Sequence, residues 1–171
     1  MKRTCADSTY AFVDASNIIY GVMKNEGWKV DLLKLFEYLE ERYHASRVFY
    51  YGGFKPGNPE EYTLYENLRQ IGYTVRKKRV MYYHEGGGRI TMKANCDVDL
   101  TLDLVRYIPL YRRAVLLSGD GDFIPVIRYL FKKRRKVAVI ANAVKTSVKI
   151  KAMLGNSFKD IRSLRHLLER K

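Results

Sequence analysis

Three short segments of the chain are rich in aspartate and small polar residues. They are Asp14-Ala15-Ser16-Asn17, Asp97-Val98-Asp99 with Asp103, and Ser118-Gly119-Asp120-Gly121-Asp122. Ionised carboxylates that lie close together repel one another unless a cation lies between them. Hard divalent ions such as Mg²⁺ and Mn²⁺ prefer carboxylate oxygens, and a bound ion activates water and offsets charge on a phosphate oxygen. The pattern therefore indicates metal-dependent attack of water on a phosphate group.

Each aspartate also has a structural interpretation. Either aspartate of the last segment, taken alone, is equally well explained as the cap of the helix that starts there. Asp97 is a candidate N-cap, and Asp99 and Asp103 share a helix face on which pairing with surface lysine or arginine is favoured for Asp99. Asn17 suits a turn or a cap as well as a site. Asp14 is harder to explain this way, because it directly follows a buried apolar run. The hypothesis depends on the group.

Short apolar runs and amphipathic stretches alternate along the chain. The strands that this pattern predicts lie at residues 10–13, 47–51, 114–118, 136–141 and 157–161. The predicted helices lie at 31–44, 58–71, 97–107, from 122 to about 133, at 147–154 and after 163. Strands separated by helices indicate an α/β fold, with a parallel sheet covered on both faces. Sites in such sheets lie at the carboxyl ends of strands, so the segments at 14 and 118 converge if their strands are neighbours.

Residues 73–93 break this alternation. We predict a strand at 75–83 and a hairpin partner at 89–93 around the glycines at 86–88. The chain is thus expected to have a tail at residues 1–8 and one domain at 9–171, with a basic hairpin at about 73–93. No internal repeat and no low-complexity linker is found.

Composition narrows the functional classes. The 171 residues carry a net charge of +14, which favours a polyanionic partner. No apolar run is long enough to span a membrane, and no amphipathic helix with a lipid-facing side stands out. The N-terminus lacks the pattern of a signal peptide. Two cysteines, Cys5 and Cys96, and three scattered histidines cannot form a disulfide framework or a zinc site. We expect a cytoplasmic protein.

The positive charge is concentrated in two acid-free stretches, at residues 67–84 and 123–159. Basic side chains neutralise phosphates, and interleaved tyrosine rings stack on unpaired bases. The run at 132–136 is equally well explained as a solvated helix end. The residues that we expect to contact nucleic acid are Arg76, Lys77, Lys78, Arg79, Arg89, Lys93, Lys145 and Lys149.

Three motifs, in this order, resemble a known family. The segment at residues 12–17 is similar to the opening Asp-x-x-Asn motif of NYN domains, which belong to the PIN-like nucleases. Residues 97–103 resemble the Asp-Val-x-Leu-x-x-Asp motif of the LabA-like branch, and 117–125 resemble its Ser-Gly-Asp-x-Asp-Phe signature. The closing segment from Ser147 to Phe158 is also similar. The resemblance spans roughly residues 10–161.

The resemblance implies a Rossmann-like, PIN-like three-layer sandwich with a central, mainly parallel sheet. It also implies an acidic pocket that binds Mg²⁺ or Mn²⁺ and a hydrolytic attack on RNA. The metal and catalytic acids implied by the matching positions are Asp14, Asp97, Asp120 and Asp122. Asn17 and Ser118 would orient these acids or the substrate, and Asp103 would be a second-tier acid. A homodimer is a further expectation, because PIN-like domains often pair.

Two other classes stay open. An RNA-binding module that keeps the pocket without turnover would bind RNA and never cleave it. A phosphatase of the haloacid-dehalogenase type is disfavoured, because it needs a second aspartate two residues after the nucleophile. Here Ser16 follows Asp14 at that position. A charge of +14 is also more than a small substrate requires.

Overall fold

The computed structural model describes the backbone of residues 8–85 and 89–171 and the side chains of residues 8–81 and 94–171. Most of the expected tail, the glycines at 86–88 and the side chains of Arg89 and Lys93 lie outside the described residues. The nucleic-acid contacts expected of Arg89 and Lys93 therefore stay predictions.

Six parallel strands form the central sheet. They are β1 Thr9–Asp14, β2 Ala45–Phe54, β3 Thr74–Arg79, β6 Arg113–Leu117, β7 Lys136–Ala141 and β8 Phe158–Asp160. Two further strands, β4 Met81–Glu85 and β5 Arg89–Lys93, form a separate antiparallel pair. The order in the sheet is β3-β2-β1-β6-β7-β8. The expected α/β fold is confirmed, and β1 and β6 are neighbours.

Within residues 8–85 and 89–171, seven α-helices connect or follow these strands. They are α1 Gly21–Glu26, α2 Leu32–Tyr43, α3 Pro59–Ile71, α4 Asp97–Arg106, α5 Ile124–Lys132, α6 Val148–Leu154 and α7 Arg165–Leu168. The longest of them, α3, has 13 residues. Within the described part of the chain, no helix is both long and apolar enough to cross a membrane.

The starts of α2 and α3 follow from their capping residues. A carboxylate oxygen of Asp31 accepts a hydrogen bond from the Leu33 amide at 3.0 Å. The side-chain oxygen of Asn58 accepts one from the Glu60 amide at 3.0 Å. Each cap satisfies a backbone donor that has no partner within the helix, which stabilises the helix by about 1 kcal/mol. Both predicted helix starts are confirmed.

Adjacent tyrosines in β2 show that helices cover both faces of the sheet. Successive side chains of a strand point to opposite faces. The Tyr50 ring packs edge-on against Tyr65 of α3, with the ring centroids 6.3 Å apart. The Tyr51 hydroxyl instead donates a hydrogen bond to Asp103 of α4 at 3.0 Å. The sheet therefore lies between one layer that contains α3 and another that contains α4.

A helical segment at residues 16–26 differs from the sequence expectation, which has no helix there. It starts with a turn of π-helix, Ser16–Tyr20, and continues as α1. Its sequence contains β-branched and small polar residues, which favour helices weakly. However, Ala15, Ile18 and Val22 lie on one face and are almost completely buried. Tertiary packing of this face therefore outweighs the weak local preference.

The region at 73–93 is also divided differently from the prediction. The expected strand at 75–83 is split between β3 and β4. β3 pairs with β2 as far as the Phe54–Arg79 pair. The Val80 amide then donates a hydrogen bond to the Phe54 carbonyl at 3.0 Å, where β2 ends. The next strand, β4, is not paired with any described strand of the central sheet and pairs with β5 instead.

Candidate active site

The pairing of β1 with β6 brings the first and third aspartate segments together. Phe12 pairs with Leu116 and Val13 with Leu117, in parallel register. The residues that follow at the carboxyl ends of these strands are Asp14 and Ser118. The Ser118 hydroxyl donates a hydrogen bond to Oδ2 of Asp14 at 3.0 Å, across 104 residues of sequence.

The carboxylate of Asp14 is buried and held by three donors. Asp14 is only 5% exposed. Its Oδ1 accepts hydrogen bonds from the Ser16 hydroxyl at 2.6 Å and from the Asn17 amide at 3.2 Å, while Ser118 occupies Oδ2. Buried carboxylates are costly unless their oxygens are bonded. The three hydrogen bonds therefore orient an anion at the end of β1.

Asn17 provides a second link between the first and third aspartate segments. Its side-chain oxygen accepts a hydrogen bond from the Gly119 amide at 3.1 Å. Gly119 has no room for a side chain, since a Cβ there would collide with Oγ1 of Thr146 and lie 3.1 Å from the Cβ of Ala141. The glycine between Ser118 and Asp120 is therefore explained by close backbone packing.

The third segment turns outward after Gly119. Asp120 is exposed and caps a short 3₁₀ turn, Gly121–Phe123, with its Oδ1 accepting from the Asp122 amide at 3.0 Å. The capping interpretation is thus correct for Asp120, although capping uses only one of its oxygens. Asp122 is exposed as well and is not a cap. Both carboxylates remain accessible to a ligand.

Asp97 approaches these residues from α4. It is the first residue of that helix rather than its N-cap, because Cys96 is the cap and the Asp97 amide donates to Oδ1 of Asn95 at 2.8 Å. Burial raises the pKa of Asp97 above its usual value, and repulsion from three nearby carboxylates raises it further. These carboxylates belong to Asp14, Asp120 and Asp122. Asp97 and Asp122 also line a common pocket, so the second and third aspartate segments lie next to each other. We call these four aspartates the acidic pocket, and their joint role as a metal site stays a prediction.

The charge of these four carboxylates is not neutralised by any ion pair with a described side chain. Among the residues whose side chains are described, none of the four aspartates forms an ion pair. Within the same residues, no three carboxylate, histidine or cysteine side chains are placed to hold one metal ion together. The donor chemistry fits Mg²⁺ or Mn²⁺, which prefer carboxylate oxygens and keep several waters.

Asp103, the expected second-tier acid, lies in a different setting. It is 4% exposed, and its Oδ2 accepts hydrogen bonds from Nε of Arg76 and from the Tyr51 hydroxyl, both at 3.0 Å. The guanidinium of Arg106 lies 3.5 Å from Oδ1. Asp103 lies six positions after Asp97, so the two residues are about 9 Å apart along the helix axis. Asp103 therefore anchors α4 to the sheet.

The expected RNA contacts on β3 are partly occupied within the protein. Arg76 binds Asp103 and donates to the Tyr107 hydroxyl at 3.1 Å, so its guanidinium is committed to the fold. Lys78 pairs with the exposed Asp99 at 2.8 Å. This pair agrees with the surface-pairing interpretation of Asp99. Two exposed cations on this strand form no ion pair with a described side chain. They are Lys77, 4.9 Å from the Phe54 ring centroid, and Arg79.

The loop before α6 adjoins the acidic pocket. The amide of Ser147 donates a hydrogen bond to the Gly119 carbonyl at 3.2 Å. Lys145 and Lys149 flank this contact and are exposed. Sequence reasoning placed both lysines in a binding role but did not assign Ser16, whose hydroxyl holds Asp14. Its position two residues after the aspartate is the signal that could have identified it.

Comparison with known proteins agrees with this architecture. The NYN domain matches residues 8–156. The chain belongs to the NYN domain family. A relative from Synechococcus elongatus, low amplitude and bright protein LabA, is 32% identical over 135 residues, covering 76% of this chain and 71% of that protein. This NYN protein thus belongs to the LabA-like branch. The NYN family lies within the PIN-like nuclease superfamily, which indicates an RNA-related nuclease or binding function.

A solved structure has the same fold as this NYN protein. It is a protein of unknown function, VPA0982, from Vibrio parahaemolyticus. The two folds superpose with a TM-score of 0.74, covering 94% of this chain and 96% of the other, at 23% sequence identity. At that identity the likeness concerns the fold alone.

Proposed function

We propose that this NYN protein is a divalent-metal-dependent ribonuclease that hydrolyses RNA phosphodiester bonds in the acidic pocket. The observation that carries the proposal is the convergence of four aspartates from three distant segments. No described cation of the protein pairs with any of them. Such an arrangement is costly for the folded protein unless a positively charged ligand binds there.

Each residue of the pocket has a role in this proposal. Asp14, Asp97 and Asp120 would hold the ion, and Asp122 would contact it directly or through water. Asn17 and Ser118 keep the pocket in shape through their bonds to Gly119 and Asp14. When bound, Mg²⁺ or Mn²⁺ activates a water molecule and offsets charge on the scissile phosphate.

Neither histidine with a described side chain lies at the acidic pocket. Two of the three histidines have described side chains. His44 directly precedes β2, at the edge where the strands begin, and His166 lies beyond the last strand of the sheet, in α7. Deprotonation of the attacking water is therefore assigned to the metal and the carboxylates.

RNA binding is assigned to the exposed cations next to the pocket. Lys145 and Lys149 flank the loop that is bonded to Gly119, and Lys77 and Arg79 extend along β3. Such side chains neutralise phosphates without reading sequence. Arg76 contributes less to RNA binding in this proposal, since Asp103 already pairs with its guanidinium.

Location and assembly belong to the same proposal. The low cysteine content suits a reducing compartment, so we propose a cytoplasmic location. The homodimer follows from the resemblance to PIN-like domains and is kept as a proposal.

Cleavage of a labelled pool of single-stranded RNA in Mg²⁺, Mn²⁺ or EDTA tests the proposal. The double variant Asp14→Asn/Asp120→Asn should lose cleavage by orders of magnitude, because it removes two of the four carboxylates. The matched control Glu66→Gln/Asp99→Asn also removes two negative charges, but both lie in exposed surface ion pairs and the control should cleave normally.

Three results would contradict the proposal. They are cleavage that persists in EDTA, an unchanged rate in the pocket variant, and equal losses in the pocket variant and the control. If no protein cleaves and all retain RNA in a salt-dependent manner, the RNA-binding module without turnover is favoured instead.

A further inference from the structure

A second large cavity lies at the edge of the sheet where the parallel strands begin. It has a volume of about 880 Å³. Its lining includes Arg113 and Lys136, which are the first residues of β6 and β7. Ser118, by contrast, follows the last residue of β6. With a rise of about 3.3 Å per residue, roughly 16 Å of strand separates this cavity from the acidic pocket. A small ligand in the cavity would not reach the aspartates.

The walls of this cavity are strongly basic. Four cations line it at separate points of the chain. They are Arg42 from α2, Arg113 from β6, Lys136 from β7 and Lys159 from β8. None of the described lining residues is an aspartate or glutamate. Within the described side chains, none of these four forms an ion pair. Cations gathered in a concave site without counter-ions attract anions there.

Arg135 also lines the cavity, but its guanidinium forms hydrogen bonds within the protein. Its Nε donates to the Ile108 carbonyl at 3.1 Å, and a terminal nitrogen donates to the Lys133 carbonyl at 3.3 Å. The guanidinium of Arg135 is therefore already bound to backbone carbonyls. Arg42, in contrast, has its guanidinium carbon 5.9 Å from the centroid of the Tyr43 ring.

Aromatic and apolar side chains complete the cavity. Tyr38 and Tyr43 meet edge to face, with ring centroids 6.1 Å apart, and Phe158 is half-buried in another wall. Burial is the main cause that raises the pKa of Tyr38 to about 12. A hydrogen bond with the Tyr43 hydroxyl also raises this pKa, so the Tyr38 hydroxyl is protonated at neutral pH and already has a partner within the cavity wall. Rings of this kind stack on flat heterocycles.

We propose that this cavity binds a nucleotide, either free or as the terminal unit of an RNA strand. The four cations would bind its phosphates, and the rings would contact its base. A volume of 880 Å³ lies within the range of about 300–1,000 Å³ that is common for small-molecule sites. The proposal does not depend on the ribonuclease activity, since the two sites share no residue.

Isothermal titration calorimetry with ATP in EDTA tests the binding, because EDTA keeps metal out of the acidic pocket. Adenosine and pyrophosphate, titrated separately, present the base and the phosphates alone. Both should bind at least about tenfold more weakly than ATP if cations and rings act together.

Two matched double variants locate the binding. Arg42→Gln/Arg113→Gln removes two cations of the cavity and should weaken ATP binding about tenfold or more. Arg128→Gln/Lys132→Gln removes two exposed cations of α5 that do not line the cavity and should leave ATP binding within about twofold. Since Arg113 is partly buried, Lys136→Gln/Lys159→Gln serves as a second cavity variant at exposed positions. Circular dichroism checks that each variant is folded.

Several results overturn the proposal. One is the absence of ATP binding to the folded wild type, and another is an equal loss in the cavity and α5 variants. Unchanged binding in both cavity variants overturns it too. Competition separates the two sources of the nucleotide. Displacement of ATP by a 5′-phosphorylated RNA but not by its 5′-hydroxyl counterpart supports a strand end, and displacement by neither supports a free nucleotide.

The pocket variant Asp14→Asn/Asp120→Asn should bind ATP as well as the wild type does. This outcome distinguishes the two proposals. Loss of cleavage with retained ATP binding supports both of them. If the wild type does not cleave RNA, the ribonuclease proposal fails, and the nucleotide site is judged by the ATP titration alone.

Discussion

Asp97 and Asp103 lie on the same helix, yet their surroundings are electrostatically opposite. Asp97 opens α4 and faces three other carboxylates, and no described cation pairs with it. Asp103 is buried near the other end of α4, where Arg76 and the Tyr51 hydroxyl each lie 3.0 Å from one of its oxygens. One carboxylate is left with unbalanced charge, and the other is fully satisfied. Their side-chain type is the same, so the difference comes from what the fold places around them.

This difference indicates that the two aspartates of α4 have different roles. The bonds of Asp103 fix the helix against the face of the sheet that carries Tyr51 and Arg76. The rigid helix then carries Asp97 to the edge where β1 and β6 end. Repulsion in the pocket is a cost to stability that a bound cation removes, whereas the pairing of Asp103 stabilises the protein without any ligand.

The largest expected effect concerns the rate of RNA cleavage. Asp97→Asn should reduce it about 100-fold or more, because the amide keeps the shape of the side chain but loses the charge that faces the ion. Initial rates on labelled RNA in Mn²⁺ measure this loss, with Asp99→Asn on the exposed side of the same helix as control. A rate close to that of the wild type would remove Asp97 from the proposed site.

A smaller effect concerns the contribution of Asp103 to the stability of the protein. Asp103→Asn leaves Arg76 without its carboxylate and should lower the free energy of unfolding by about 2 kcal/mol. The exposed pair of Asp99 with Lys78 provides the control, and Asp99→Asn should cost less than about 1 kcal/mol. Urea denaturation measures both values. Equal losses would show that the pairing of Asp103 does not anchor the helix.

The smallest effect is a gain in the stability of the protein when the charge of Asp97 is removed. The pKa of Asp97 is raised in the folded protein, so its protonated form is favoured by folding. Its contribution to stability is therefore fully present at acid pH, below the unfolded pKa, and is lost as the pH rises through the raised folded value. In EDTA at neutral pH, Asp97→Asn should be more stable than the wild type, by less than about 1 kcal/mol because the side chain is partly exposed.

Thermal denaturation in EDTA at several pH values checks this sign. The stabilisation of Asp97→Asn should shrink as the pH falls and vanish when Asp97 of the wild type is protonated. A variant that is less stable at neutral pH would mean that the carboxylate of Asp97 makes favourable contacts that outweigh the repulsion.

Local features could be predicted from the sequence wherever neighbouring residues decide the structure. Asp31 and Asn58 cap helices whose first amides lie two residues away, so the caps are visible in the sequence. The helix at 16–26 could not be predicted in this way, because its stability depends on a buried face and not on helix-forming residues.

Pairing across long distances explains the other differences. Arg76 belongs to a basic run that is typical of nucleic-acid binding, but its partner Asp103 lies 27 residues further along the chain. The run of cations that lines the second cavity comes from four separate elements and forms no motif. The role of the Ser16 hydroxyl was missed although its position two residues after Asp14 is a local signal. A serine near an aspartate is common, and the hydrogen bond that distinguishes this one is seen only in the structure.

By itself the sequence determined the α/β fold, the basic character of the protein and the three aspartate segments, because strand and helix periodicity, charge and short motifs are local properties. The tertiary structure alone decided which carboxylates meet without a cation and which are neutralised. The position of a charge relative to others depends on sheet order and helix packing. Asp97 and Asp103 differ for this reason, although only five residues separate them in the chain.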